Sequence, residues 1–505
     1  MQFWSTPLVP LAPTSNDRGK YFGKNKYRDK AFIPWIEEEP RIAEAVLPDS
    51  APITRTYYDA WQQVWPQMRR PLPDTGLVSN YYDPCPADRP LHIETLAYST
   101  LFASLSGDRV PAASSLDNFY CRQFMSGEIP ATLDRATGYE PVDLRRRNWR
   151  GDSVDFAPFL EARSQAAPLL AWVEWDFYLQ VGDQERLALI HDALARHLRF
   201  ILESPTHASG LYLDPEGRTG VVWNSQIICS CRRLADIDGV LAVQADSSGE
   251  TARASELRAE MRSMRSEADH LSALVREKLW QPETATFAAE SADTPVDRAA
   301  AAWALLAGAA TPDQAQAFAK PLSTLADPTD WSQVGRVLFQ SDSDPRPEDD
   351  GLVLVACHAL RQYGHRVLAH DIALARVRQV AHIWGSTGSF WSTYDRSNLA
   401  PAPGAKAGMV LGALPALRLT AEFCIGLQPY APAMRLEWDV RTTEYCGHYR
   451  YRFAHQLVSL HAEPRASESA PVHAFIECER PIQLVLRCAQ RRSVVQVRGK
   501  AELTI

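Results

Sequence analysis

Apolar residues recur along most of this chain in steps of three and four. From Leu187 they fall at Leu187, Ile190, Leu194, Leu198 and Ile201, and Gly182-Asp183 just upstream supplies a helix stop followed by an N-cap. The spacing predicts a long amphipathic helix. The period returns at Leu257, Met261, Met264, Ala268, Leu271 and Leu274, with Arg and Glu on the opposite face. Further helices are predicted over Ala300 to Leu306, Val353 to Gln362 and Ile372 to Ile383. After about Tyr430 the texture changes to short β-branched and aromatic runs, at Arg435 to Val440, His455 to Leu460, Gln483 to Arg487 and Ser493 to Arg498. The pattern therefore predicts a mainly α chain with three parts. Residues 1–50, where charges sit beside aromatics with little periodicity, form an arm lying over the domain; residues 51–430 form the helical domain; residues 431–505 form a small C-terminal element of antiparallel strands. Periodicity alone allows a ring of helix hairpins, a bundle or a solenoid.

Composition narrows the functional classes. The chain has 505 residues, 46% hydrophobic and 23% charged, which is globular and long enough for one large domain with appendages. A net charge of −8, with Lys and Arg scattered along the chain, gives no footprint for nucleic acid. The longest apolar stretches, such as Met409 to Leu417, fall far short of the roughly 20 residues of a membrane span. The N-terminus has no basic and apolar leader, and Pro7, Pro10 and Pro13 would break one, so a cytosolic protein is expected. Nine dispersed cysteines read as buried free thiols, and Cys229-x-Cys231 lacks both the spacer and the partner cluster of a zinc site. With no Gly-x-Ser-x-Gly, phosphate loop or His-Glu-x-x-His, neither a metal nor a cofactor is expected.

A set of phrases then points to a family. They are Tyr58 to Trp65, Ser115 to Gln123, Leu170 to Tyr178 with Val181 to Asp183, Lys278 to Trp280, Trp303 to Gly308, Gly388 to Trp391, and Leu427 to Pro429 leading to Trp438 to Arg441. In this order they resemble the trehalase and mannosylglycerate-hydrolase clan of glycosidases, from about residue 50 to residue 500. The resemblance implies a six-hairpin (α/α)6 toroid. It also implies an inverting mechanism, in which a carboxylic acid protonates the leaving oxygen and a carboxylate on the opposite side activates water.

The resemblance fails where that chemistry lies. The family's acid sits in a Gly-Met-Asp-Asn phrase, and here Gly220-Val-Val-Trp-Asn224 puts Val222 in its place. The base sits in a Trp-Glu-Asn-Tyr phrase, and here Trp391-Ser-Thr-Tyr394 puts Ser392 there, a hydroxyl with no adjacent His. An early Trp-Asp pair has become Ile93-Glu94, and a sugar-contacting stretch is replaced by residues 343–350. Asp214, Glu216, Asp349, Asp350 and Asp395 are nearby carboxylates, but Asp214 to Gly217 and Asp349 to Gly351 also have turn and N-cap composition. Glu174, between Trp172 and Trp175, has either a raised pKa in the pocket or a structural hydrogen bond to a neighbouring helix. Asp117, Asn118 and Arg122 either orient one another around the pocket or form a network retained for folding.

Losing two carboxylates leaves a pocket suited to a small, largely apolar molecule with a few polar handles. The expected function is a non-hydrolytic cyclase or isomerase, of pericyclase type, acting by shape and hydrogen bonding. Trp223, Asn224, Ser392 and Thr393 are the expected catalytic groups; Glu94, Asp117, Tyr120, Trp172, Glu174, Val222, Trp391 and Tyr394 are the expected substrate contacts. The alternatives are a glycosidase with relocated carboxylates and a ligand-binding pseudoenzyme. No pattern in the chain encodes an oligomeric state.

Overall fold

The computed structural model describes residues 19–23, 32–47, 50–72, 75–84, 89–139, 165–288, 297–339, 345–346 and 349–505. Most of the expected arm, Cys85, and residues 343, 344, 347 and 348 of the substituted stretch lie outside these.

The chain is mainly helical, followed by strands. The longer helices are α1 (Ala51–Val64), α2 (Ile93–Ala103), α3 (Ala112–Tyr120), α4 (Leu170–Val181), α5 (Gln184–Leu202), α6 (Val221–Ser247), α7 (Thr251–Lys278), α8 (Arg298–Leu306), α9 (Pro312–Ser323), α10 (Trp331–Leu338), α11 (Asp349–Gln362) and α12 (Arg366–Thr387). A further helix, Pro415–Cys424, is wound in π geometry. Six of these pack one on the next: α2 on α4, α4 on α6, α6 on α8, α8 on α11, α11 on the π helix, and the π helix back on α2. Six others lie against them, α3 on α2, α5 on α4 and α6, α7 on α6, α10 on α8, α12 on α11, and α1 on the π helix, while α9 packs on α10.

Sequence explains the division. α4 is apolar on every face and buried along nearly its whole length, as a helix with neighbours all round must be. α5 carries the predicted stripe, with Leu187, Ile190, Leu194, Leu198 and Ile201 buried. The break between α4 and α5 follows the turn chemistry. Gly182 adopts φ +81, which a residue with a Cβ resists, and the Asp183 side chain accepts from Arg186 N at 2.9 Å to cap α5.

The C-terminal strands form two sheets. One is antiparallel, with order β1 (Glu44–Val46), β4 (Cys446–Phe453), β5 (Gln456–Ala462), β6 (His473–Cys478) and β9 (Lys500–Thr504). The other runs β8 (Arg491–Val497), β7 (Ile482–Cys488), β3 (Arg435–Asp439) and β2 (Leu427–Tyr430). Two features correct the expected element. β3 and β7 pair in parallel, Gln483 opposite Arg435 through Arg487 opposite Asp439, because the chain passes through the other sheet before returning to β3. The antiparallel sheet also recruits β1 from before the helices, and the second sheet begins at Leu427.

His448 of β4 is fully buried, and its Nε2 lies 3.0 Å from the Tyr57 hydroxyl of α1, tying sheet to helices. Burial pushes this imidazole down to about 3 from 6.5. Its neutral form is the folded one, so its contribution is complete above pH 6.5 and is lost as pH falls toward 3. His191 on α5 has the opposite sign. Burial opposes its charge, but hydrogen bonds to Asp192 and Asp238 outweigh that and push it up to about 9. Its contribution is complete below pH 6.5 and lost as pH rises through 9. Denaturation midpoints across this range should therefore fall on both sides, with His448→Gln flattening the acid limb and His191→Asn the alkaline one. A wild-type limb unchanged by its variant would remove that residue from the account.

Candidate functional site

The first turn of α6 holds Val222, Trp223 and Asn224, the segment where the resemblance leads one to expect an acid. Val222 and Trp223 are half-buried there and Asn224 is fully buried. The Asn224 amide is wholly spent on backbone: Oδ1 accepts from Tyr212 N at 2.9 Å, and Nδ2 donates to Tyr212 O and Gly220 O at 3.0 Å each. It pins the preceding loop onto the helix. Trp223 differs, because its Nε1 is buried and has no acceptor among the described residues.

The segment Trp391 to Tyr394, where the resemblance leads one to expect a base, lies in a small ladder. Ser392 N donates to Lys406 O at 2.9 Å, and Ser392 Oγ accepts from Lys406 N at 3.0 Å, leaving its proton free to be donated. The Thr393 carbonyl accepts from Ala402 N at 3.2 Å, and the Trp391 indole donates to Thr387 Oγ1 at 3.2 Å. Tyr394 is buried, its hydroxyl donates to Gly412 O at 3.0 Å, and Arg376 lies 5.1 Å from its ring, so it braces the loop. Among the described residues no hydrogen bond joins this segment to residues 220–224.

Five other expected contacts lie in α2, α3 and α4. Arg186 of α5 donates to Glu174 Oε2 at 2.7 Å and Oε1 at 2.6 Å, and to Asp117 Oδ1 at 3.0 Å; the Tyr120 hydroxyl donates to Glu174 Oε1 at 2.9 Å. Glu174 and Asp117 are fully buried and Tyr120 nearly so. Burial raises the Glu174 pKa, Arg186 acting against it. This cluster locks α3, α4 and α5 together, so Asp117, Tyr120 and Glu174 belong to the framework. Trp172 packs edge-on against Trp303 at 5.1 Å. Glu94 stands half-buried in the first turn of α2.

The carboxylates considered as replacements are likewise engaged. Arg396 holds Asp349 through Nε at 2.8 Å and Nη2 at 3.0 Å, and Arg376 Nε donates to Asp350 at 2.7 Å. Asp395 Oδ1 accepts from Ser397 N and Asn398 N at 2.8 Å each, capping a turn. Asp214 does the same for Glu216 N and Arg218 N, at 3.1 and 2.8 Å.

Cys229 and Cys231 are buried free thiols in α6. Among the described residues, His191, Asp238 and Glu260 bring ligand-type atoms within 4.8 Å of one another. His191 Nε2 is 2.7 Å from Asp238, and Arg199 is paired with Glu260, so the group neutralises itself as an ion-pair junction of α5, α6 and α7.

A cavity of 370 Å³ that the sequence did not reveal lies at the last turns of α8 and α11. Trp172, Trp175, His358, Arg361, Arg418 and Glu422 line it together with β2 and β3. It is remote from Val222, since Arg233 in its wall is eleven residues further along α6, roughly 16 Å. Arg418 donates to Glu422 at 2.6 Å and to Asp176 at 2.9 Å, and Arg361 pairs with Glu422. Burial, which would raise the Glu422 pKa, is outweighed by Arg418, His358 and Arg361, so it stays well below the usual range. The signal in the sequence was a charge inside an apolar run, Arg418 in Pro415 to Cys424, which must find a buried partner.

No family model and no curated protein matches the sequence. Solved structures do. An α-L-rhamnosidase from Dictyoglumus thermophilum has a TM-score of 0.58 at 11% identity, over 92% of this chain and 50% of its own. A sialidase gives 0.61 at 12% identity, over 89% of this chain and 42% of its own. The GH63 mannosylglycerate hydrolase from Thermus thermophilus gives 0.48 at 15% identity, over 72% of this chain and all of its own. The chain thus has a mainly α, glycosidase-like fold and spans half or less of the rhamnosidase and the sialidase. No helix among the described residues is long and apolar enough to cross a membrane.

Proposed function

We propose that this protein is a glycosidase-fold protein, built as a six-hairpin (α/α)6 toroid, that does not hydrolyse glycosidic bonds. The closed succession of six packed helices supports the toroid. The observation that supports the loss of hydrolysis is the state of the acids: Asp349, Asp350, Glu174 and Asp117 are each held by an arginine, and Val222 and Ser392 stand where the resemblance implies the two catalytic carboxylates. A carboxylate already neutralised by a buried guanidinium is a poor base.

Two donors support a different use of the site: Trp223 Nε1 at the start of α6 is buried without an acceptor among the described residues, and Ser392 Oγ keeps a proton to donate. Such a site favours a small, largely apolar molecule, and the chemistry it accelerates is cofactor-free cyclisation or isomerisation, by holding a flexible chain in its reactive fold while a donor stabilises a carbonyl. Well-oriented geometry contributes about 7–11 kcal/mol to such reactions.

The test has two arms. Trehalose, kojibiose and mannosylglycerate should release no sugar above background, since each missing acid or base normally contributes about 10²–10⁴ in rate. Linear polyenes bearing a carbonyl should cyclise faster, or to different isomers, than without protein, with little change between about pH 6 and 8, and Trp223→Phe should lower that rate. Sugar release would sink the reading, and an unchanged polyene product distribution would reduce the protein to a ligand binder.

A further inference from the structure

We infer that the cavity at the last turns of α8 and α11 binds a ring-bearing organic anion, a carboxylate or a phosphate ester. This site stands apart from the one proposed above and does not depend on it. Its lining carries five guanidinium groups, from Arg233, Arg361, Arg366, Arg418 and Arg435, against three carboxylates, Asp176, Glu422 and Glu437. Ion pairs leading outward do not close that gap. Arg233 shares Asp236 with Arg265, Arg366 shares Asp439 with Arg441, and Arg366 shares Glu437 with Arg487. Each carboxylate outside the cavity brings another arginine with it, so the positive excess remains.

Two donors localise the excess. Arg435 has no carboxylate within ion-pair distance among the described residues; its guanidinium lies 4.7 Å over the Tyr430 ring, flat against the cavity wall. Arg361 spends Nη2 on Glu422, while its Nη1 is buried with no acceptor. A buried guanidinium N–H without a partner costs free energy that a bound anion recovers. The surroundings hold these groups in place: Arg361 stacks 4.5 Å over Phe423, and Arg418 is clamped by Glu422 and Asp176. Arg418 and Glu422, four residues apart on the π-wound segment Pro415–Cys424, both face the cavity. Trp172 and Trp175 add flat apolar surface, which suits a ring, and 370 Å³ accommodates a single small molecule. Guanidinium forks fit carboxylate and phosphate oxygens alike.

Calorimetric titration of the full chain with glucuronate, glucose 6-phosphate, inorganic phosphate and glucose tests this. Both sugar anions should bind, more weakly in high salt, and glucose should not; whichever anion binds tighter identifies carboxylate or phosphate as the group recognised. Inorganic phosphate, with no ring to lie on the tryptophans, should bind more weakly than the sugar anions. Arg435→Gln should weaken binding by about tenfold or more without changing the melting temperature, and Arg361→Met, which keeps the apolar stem, by at least as much. Arg435 holds no ion pair among the described residues, so its variant reports on the ligand even if Arg361→Met folds poorly. Glucose or free phosphate binding as tightly as the sugar anions, no binding by either anion, or undiminished affinity in Arg435→Gln would overturn the proposal.

Discussion

Arg186→Leu is expected to destabilise the protein by about 3–5 kcal/mol, the cost of leaving a buried ion cluster without its cation. The side chain is 9% exposed and donates to Glu174, Asp117 and the Ala113 carbonyl, so its removal strands two carboxylates that are themselves fully buried. Burial pushes the Glu174 carboxyl up, and Arg186 is the main influence acting against it. Without the guanidinium, Glu174 must take up a proton, and the variant should lose least stability at acid pH. Arg218 supplies the control: it pairs with Asp214 and Glu216 but is 71% exposed, so Arg218→Leu should cost under about 1 kcal/mol. Urea denaturation midpoints of the two variants at neutral pH make the comparison. Equal, small losses would mean that the cluster is solvated in the working protein, and the framework role given to Asp117, Tyr120 and Glu174 would fall.

That cluster illustrates how far the sequence could be read. Helices with one wet face, α5 and α7, announced themselves by period, because exposure on one side forces the alternation. α4 is apolar all round, so its helical face carried no signal, and its family phrase located it instead. The strands were visible as β-branched runs, but the parallel pairing of β3 with β7 was not, since neighbour order leaves no trace in a strand's own alternation. At the site the acids were legible and their partners were not. Asp117 meets Arg186 across 69 positions and Asp176 meets Arg418 across 242, and no local spacing links them. Without their arginines the carboxylates left both a structural and a pocket role open, and the arginine-rich cavity was hidden altogether.

The same partners govern what restored carboxylates would do. The double variant Val222→Asp with Ser392→Glu is expected to remain inactive as a glycosidase, with sugar release from trehalose or mannosylglycerate at background. Inverting hydrolysis needs one carboxyl protonated and the other ionised near neutral pH, which requires environments that push the two pKa values apart. Position 222 lies in the first turn of α6 behind the N-cap Gly220, where unpaired backbone N–H groups and the helix dipole favour the ionised form. An aspartate there would be charged at pH 7 and a poor proton donor. Position 392 offers no better prospect: Ser392 Oγ accepts from Lys406 N, and a longer glutamate side chain would break that ladder or turn away from it. Substrate positioning is expected to be missing as well, because Ile93-Glu94 stands where the resemblance implies a Trp-Asp pair, and Asp349 and Asp350 are bound to Arg396 and Arg376. Each single variant should melt within a few degrees of the wild type, since both sites are half-buried, which separates failure of chemistry from failure of folding. Sugar release by the double variant at a rate above that of either single variant would show that the glycoside site survives and that the loss of two carboxylates is all that separates this protein from hydrolysis.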